Sequence, residues 1–316
     1  MSDITPKVAI VGAGSVGATI AYACLIRGVA KRISLYDLNA DKVRSELLDL
    51  NHGLQFVPMA TVDGSDDVAV CADADVVVVT AGAKQKPGQT RLDLTEANVR
   101  ICRDMLPKLQ AVAPRAIFLM VTNPVDVLTY VAQQITGLPT ARVIGSGTVL
   151  DSSRFRYLIG KHLDVAVQSV HAYIAGEHGD SEVPLWSSAS IANIPLRDWA
   201  RVNRGSLSRQ DEAAIYHDVR TAAAQVIKGK GATSYAIGLS TAKILEALLH
   251  DEHRVLPVSS LIRDFHGIGD VCFSLPSIIN RTGVEKVLPV PVDADELAAL
   301  RSSAAVIRDA IRQAGF

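Results

Sequence analysis

Val8-Ala9-Ile10-Val11-Gly12-Ala13-Gly14-Ser15-Val16-Gly17 is the stretch of this 316-residue chain that decides its fold. Four apolar residues read as a buried strand, and they run straight into Gly-x-Gly-x-x-Gly. A helical pattern resumes at once over Val16 to Arg27. In that context the glycines permit a tight turn, close approach of the backbone to a pyrophosphate and close helix-sheet packing, while the helix N-terminus favours the anion. Working outward, Ile33 to Tyr36, Val76 to Val79, Ile117 to Val121 and Val143 to Ile144 are further short apolar runs that end near Gly, Asp, Thr or Asn. Ala40 to His52 and Leu94 to Val112, between them, have the length and period of covering helices. This alternation predicts an α/β fold built on a doubly wound parallel sheet.

Beyond about Gly145 the rhythm changes. Helical stretches are expected at Val149 to Leu163, Gln210 to Lys228, Ser234 to His250 and Asp293 to Ala314, with strand-like segments around Val167 to Ile174 and Ala189 to Ile194. The reading is therefore an N-terminal Rossmann domain over 1–145 and a C-terminal α+β substrate-binding, catalytic domain over 146–316. Ala83 to Thr90 is polar, carries Pro and Gly, and reads as an exposed loop that can act as a lid.

Composition narrows the function. Lys plus Arg total 32 and Asp plus Glu 33, a net charge of −1 that supplies no footprint for nucleic acid or an anionic membrane. The longest apolar runs are far short of a bilayer span, and the acidic Met1-Ser2-Asp3 start resembles neither a signal nor a transit peptide, so the expected location is cytoplasmic. Cys24, Cys71, Cys102 and Cys272 are scattered without a C-x-x-C pair, which fits reduced, packed thiols and no metal site.

Asp37 follows Gly17 by twenty positions, at the end of the second predicted strand, where a carboxylate accepts ribose hydroxyls. Its charge repels a ribose 2′-phosphate, so NAD is preferred to NADP, although Lys42 and Arg44 lie nearby. Gly12, Gly14, Ser15, Val16, Gly17 and Asp37 thus form the expected cofactor site, joined at the carboxyl edge of the sheet by Thr80, Ala81, Gly82 and Asn123.

Hydride transfer to a carbonyl needs a proton donor, a polarising cation and a substrate anchor. His178, in the polar loop Gly176-Glu177-His178-Gly179-Asp180-Ser181, suits the first role. Asp151 and Arg154 share one face of a helix start, where Arg154 can take a carboxylate in two-pronged fashion and Asp151 can orient His178. Spacing alone equally allows a plain ion pair between them, and Asp180 competes as the partner of His178. Arg91, closing the polar loop, suits the polarising cation.

These segments, with residues 80–91, 121–126 (Val-Thr-Asn-Pro-Val-Asp), 147–156 and 176–181, resemble the L-lactate and malate dehydrogenase family, and its bacterial L-lactate dehydrogenases most closely. The resemblance covers essentially the whole chain. It implies that His178 is the proton donor and acceptor, Asp151 its partner in preference to Asp180, Arg154 the carboxylate anchor and Arg91 the loop arginine. It further implies that Asn123 hydrogen-bonds beside the carbonyl and that Thr233 lines the pocket.

Gln85 matches the family's substrate discriminator, Gln in lactate enzymes and Arg in malate enzymes. A second carboxylate, as on oxaloacetate, would be desolvated beside Gln85 without a partner, so pyruvate is favoured. Arg156 and His171 match two positions that bind fructose 1,6-bisphosphate in allosteric relatives, and two-fold symmetry would bring copies of the pair together. The resemblance also implies a homotetramer. The expected activity is NAD-dependent interconversion of pyruvate and L-lactate. Two readings compete with it: a malate or broader L-2-hydroxy-acid dehydrogenase, and an NAD-binding structural or regulatory protein without turnover.

Overall fold

The structure, a computed structural model, describes residues 5–83, 91–203 and 206–316, without the side chain of Arg91. β1 (Lys7–Val11) is buried along its whole length because parallel strands flank both its edges and helices cover both its faces. β2 (Arg32–Tyr36) and β3 (Thr61–Ser65) lie on one side of it, with β4 (Val76–Val79), β5 (Ile117–Met120) and β6 (Val143–Gly145) on the other. The order β3-β2-β1-β4-β5-β6, all parallel, is that of a doubly wound nucleotide-binding fold, and it reverses between β1 and β4. A crevice therefore opens there at the carboxyl ends of the strands.

Strand alternation divides the core between the two faces. Ala9, Val11, Val77 and Val79 pack on one side with α3 (Arg91–Val112) and α4 (Val125–Thr136). Val8, Ile10, Val76 and Val78 pack on the other with α1 (Ser15–Arg27). α2 (Ala40–His52) starts at the Asn39 cap and covers β3 with Val43 and Leu50 buried.

The second half begins with α5 (Val149–Leu163), followed by the two-residue strands β7 (Val170–His171), β8 (Ile174–Ala175), β9 (Val183–Pro184), β10 (Ser190–Ile191) and β11 (Ile194–Pro195). α6 (Arg209–Lys230) and α7 (Tyr235–Leu249) come next. β12 (Arg254–Ile262), β13 (Val271–Asn280) and β14 (Gly283–Val287) form an antiparallel meander, and α8 (Ala294–Gln313) is closed at its start by a reciprocal Asp293–Glu296 cap.

The fold class follows the sequence reading, with three differences of detail. The segments expected as longer strands near 167–174 and 189–194 are fragmentary, because a 3₁₀ turn occupies Val167–Ser169 and left-handed Ala192 and Asn193 turn the chain between β10 and β11. β3 and α4 join the predicted elements. The meander also continues the parallel sheet: Ser259 of β12 pairs with Gly145 of β6, giving nine strands among the described residues. Among those residues no helix is long and apolar enough to cross a membrane.

Candidate active site

The glycine turn between β1 and α1 is shaped by what a side chain would strike. Gly12 has φ +103, and a Cβ there would lie 2.7 Å from Thr80 Oγ1 and 2.8 Å from the Ala81 nitrogen. At Gly17 a Cβ would lie 1.9 Å from the Gly12 carbonyl oxygen, so the helix packs on the turn without an intervening methyl. Gly14 differs: it is the helix cap, carries no side-chain cap bond, and its missing Cβ points into open space with nothing within 4 Å. The first turn of α1 contains no acidic residue, leaving the amides of a helix N-terminus facing a space suited to an anion.

Two side chains fix this turn. Asp37, after the last residue of β2, accepts from the Ala13 amide at 2.8 Å through Oδ2 and from the Asn39 amide at 3.0 Å through Oδ1. Thr80 Oγ1 donates to the carbonyls of Val11 and Gly12, both at 3.0 Å. A side-chain-free turn, a helix terminus and a carboxylate at the end of β2 together fit the pyrophosphate and ribose of a dinucleotide. Ala81, Gly82 and Asn123 lie at the same sheet edge, after β4 and β5. Buried Asn98 of α3 links these two strand ends, accepting from the Ala83 amide at 2.7 Å and donating to the Asn123 carbonyl at 2.8 Å.

The reacting groups come from the second half. Asp151 stands in the first turn of α5, only 2% exposed, and bridges two cationic side chains. Its Oδ2 lies 2.5 Å from His178 Nδ1 and its Oδ1 accepts from Arg154 Nη1 at 2.6 Å. The structure thus joins Asp151 to His178, and the helix ion pair with Arg154 coexists with that contact. About a quarter of the His178 side chain remains exposed.

His178 sits on a braced loop between β8 and β9. The Glu177 amide donates to Ser303 Oγ of α8 at 2.8 Å, and the Glu177 carboxylate accepts from Ser181 Oγ at 2.6 Å. Asp126 of α4 accepts from the backbone amide of His178 at 2.7 Å. Burial works against an imidazolium here, but the Asp151 carboxylate outweighs it and lifts His178 to about 9. Burial likewise opposes a charged Asp151, yet His178 and then Arg154 hold it below the ordinary carboxylate range. Glu182, buried nearby, is pushed up to about 8 by burial first and by the Asp151 charge second.

The other expected residues are more dispersed. Asn123 is exposed at the strand edge, and Thr233 is half-buried in the connection from α6 to α7. Gln85 lies outside the described residues, as does the side chain of Arg91, whose backbone opens α3. Arg156 of α5 donates to the Ala172 carbonyl at 2.8 Å and lies over the Tyr173 ring at 4.8 Å, while neighbouring His171 is exposed on β7.

Residues 6–145 match the family described as lactate/malate dehydrogenase, NAD binding domain, and residues 148–315 match its lactate/malate dehydrogenase, alpha/beta C-terminal domain. This chain belongs to the lactate/malate dehydrogenase family. It is 52% identical over 317 residues to an L-lactate dehydrogenase of Bifidobacterium animalis subsp. lactis, an alignment covering 100% of this chain and 99% of that protein. An L-lactate dehydrogenase of a Thermoanaerobacter species is 44% identical, with 97% and 98% covered. The crystal structure of the minor L-lactate dehydrogenase of Enterococcus mundtii, in a ligand-bound form, superposes with a TM-score of 0.94 at 39% identity, covering 98% of each chain. As a lactate/malate dehydrogenase family member the chain is an NAD-dependent oxidoreductase, and the glycine turn belongs to its NAD-binding domain.

Sequence reading passed over three polar residues of this family member's site: Asn98, Asp126 and Glu182. Each is nearly fully buried, and their local sequence, which is polar around Asn98 and Glu182, does not mark them as buried. Among the described residues no group of three His, Cys, Asp or Glu side chains is placed to hold a metal ion.

Proposed function

We propose that this chain is an L-lactate dehydrogenase that interconverts pyruvate and L-lactate. The observation that carries this reading is the double contact of Asp151, which holds a proton-transfer group and a carboxylate-binding group side by side. NAD supplies the hydride acceptor and donor chemistry when bound, and Gly12, Gly14, Ser15, Val16, Gly17, Asp37, Thr80, Ala81 and Gly82 are the residues that would hold it.

The chain's own residues do the rest. Arg154 receives the substrate carboxylate, for which its planar guanidinium is suited. Because Nδ1 of His178 is taken by Asp151, Nε2 is the nitrogen left to give a proton to the carbonyl oxygen in reduction and to remove it in oxidation. Asp151 fixes the ring and favours its protonated form. Asn123 hydrogen-bonds beside the carbonyl and Thr233 lines the pocket. Arg91 polarises the ketone, and Gln85 favours a monocarboxylate; both assignments rest on the sequence motif at 80–91.

The division at 1–145 and 146–316, a homotetrameric assembly, a cytoplasmic location and fructose 1,6-bisphosphate binding at Arg156 and His171 belong to the same proposal. Exposed His171 next to Ala172, whose carbonyl Arg156 holds, supports the last of these, since two such pairs across a two-fold axis make a cationic pocket. The test is NADH oxidation with pyruvate and, in matched assays, oxaloacetate, each with and without the bisphosphate. Pyruvate preference supports the lactate reading and oxaloacetate preference replaces it with the malate one. NADH binding without turnover on either leaves a binding protein, and absence of activation removes the effector role from Arg156 and His171.

A further inference from the structure

Asp126 is a buried acid that the reaction outlined above does not use. It stands in the first turn of α4, 2% exposed, and reaches 52 residues along the chain to accept the His178 backbone amide at 2.7 Å through Oδ2. Its other oxygen, Oδ1, is buried with no hydrogen bond of ordinary geometry, and the buried Ser259 hydroxyl of β12 is the donor that faces the carboxylate. A neutral Asn would hold the same amide without the cost of burying a carboxylate, so the backbone contact alone does not account for the acid.

What the acid adds is charge beside the imidazole. We propose that Asp126 is a positioning residue for proton transfer, anchoring the backbone of His178 and placing a second fixed negative charge next to its ring. The idea rests on the reading of His178 as the proton donor. The groups that face His178 are Asp151 from α5, Asp126 from α4 and Glu182 from the loop just before β9, with Arg154 acting on Asp151 and Glu182. Those that face Asp126 are the Ser259 hydroxyl from β12, His178 and Glu177 from the loop and Cys272 from β13. Among these groups His178 is the cation whose charge acts on Asp126. Burial pushes Asp126 up to about 6, so it is mostly ionised near neutral pH and its charge then favours the protonated imidazole.

The test uses the full chain with Asp126→Asn, which keeps an acceptor for the amide and removes the charge. The expected result is that the alkaline limb of kcat/KM for pyruvate moves to lower pH by about half a unit or more, while NADH affinity stays within about twofold. Asp126→Ser, read the same way, is expected to move the limb in the same direction. A profile that keeps its wild-type position while only its height falls makes Asp126 a structural residue and overturns the proposal, as does failure of both variants to fold with NADH bound. His178→Asn separates the two readings. If it retains turnover, the assignment of His178 is at fault; if it is inactive while Asp126→Asn leaves the profile in place, only the role of Asp126 is lost.

Discussion

One carboxylate oxygen of Asp151 lies 2.5 Å from Nδ1 of His178, and that contact sets the sign of the pH dependence. The imidazole is raised from its ordinary 6.5 to about 9, so it carries its proton across the neutral range. Pyruvate reduction, which consumes that proton, is expected to hold its rate up to about pH 9 and then fall; lactate oxidation, which needs the neutral ring, rises over the same interval. The raised value also stabilises the fold. That contribution is fully present below about 6.5 and is lost as pH rises through about 9, which thermal unfolding at several pH values checks.

Asp151→Asn keeps the size of the side chain and removes its charge. Both His178 and Arg154 then lose their ionic partner, and the imidazole falls toward its ordinary range. Turnover of pyruvate at neutral pH is expected to drop by about 10²- to 10⁴-fold, the span typical of general acid-base catalysis. NADH binding, measured by fluorescence, changes little because the cofactor turn lies in the other half of the chain.

Arg154→Lys retains a positive charge and loses the planar fork. If Arg154 anchors the substrate carboxylate, KM for pyruvate rises by roughly 10- to 100-fold, the equivalent of one charge-assisted hydrogen bond. A variant with wild-type KM removes Arg154 from the substrate site.

The second and third glycines of the cofactor turn, Gly14 and Gly17, separate stability from binding. Gly17→Ala places a methyl against the Gly12 carbonyl and is expected to lower stability by roughly 1–3 kcal/mol. Gly14→Ala meets nothing within 4 Å and has an ordinary φ of −71, so its melting temperature stays near that of the wild type. Its methyl instead occupies the anion's approach, and the NADH Kd is expected to rise by about tenfold or more. Equal Kd values for Gly14→Ala and the wild type would falsify the pyrophosphate assignment.

The parts of the fold that could be read locally were those whose pattern is local. β1, β2, β4, β5 and β6 are short apolar runs next to turn residues, and α2 and α5 follow their periodicity to the residue. β3 escaped because Thr61-Val62-Asp63-Gly64-Ser65 is a polar edge strand, held by pairing to β2 rather than by its own hydrophobicity. α4 has an apolar side in Val127, Leu128, Val131 and Ala132, but polar Asp126, Thr129, Gln133 and Thr136 are buried with it and blur the pattern. β12 to β14 pair with their neighbours in sequence, but their junction with β6 joins Ser259 to distant Gly145, which periodicity does not report.

In the site, the glycine turn and Asp37 were legible because their spacing encodes the geometry. Spacing left His178 with two candidate partners, Asp151 and Asp180; the family resemblance pointed to Asp151, and the folded chain joins His178 to it. Asn98 and Asp126 gave no warning, since each works by reaching a backbone group on a separate segment: Asn98 at Ala83 and Asn123, Asp126 at His178.

Gly145 and Ser259 meet across the seam where the parallel strands give way to the antiparallel meander. A Cβ on Gly145 would lie 2.5 Å from Thr129 Oγ1 and 3.0 Å from Ser259 Cβ, so the seam admits no side chain at that point. The half that carries the cofactor turn and the half that carries His178 are therefore fastened by backbone, with no slack for a linker to absorb. Exchanging one half for that of a distant relative would misalign the two reactants by whatever error the foreign strand brings to this junction, so the halves must change together or keep the junction intact.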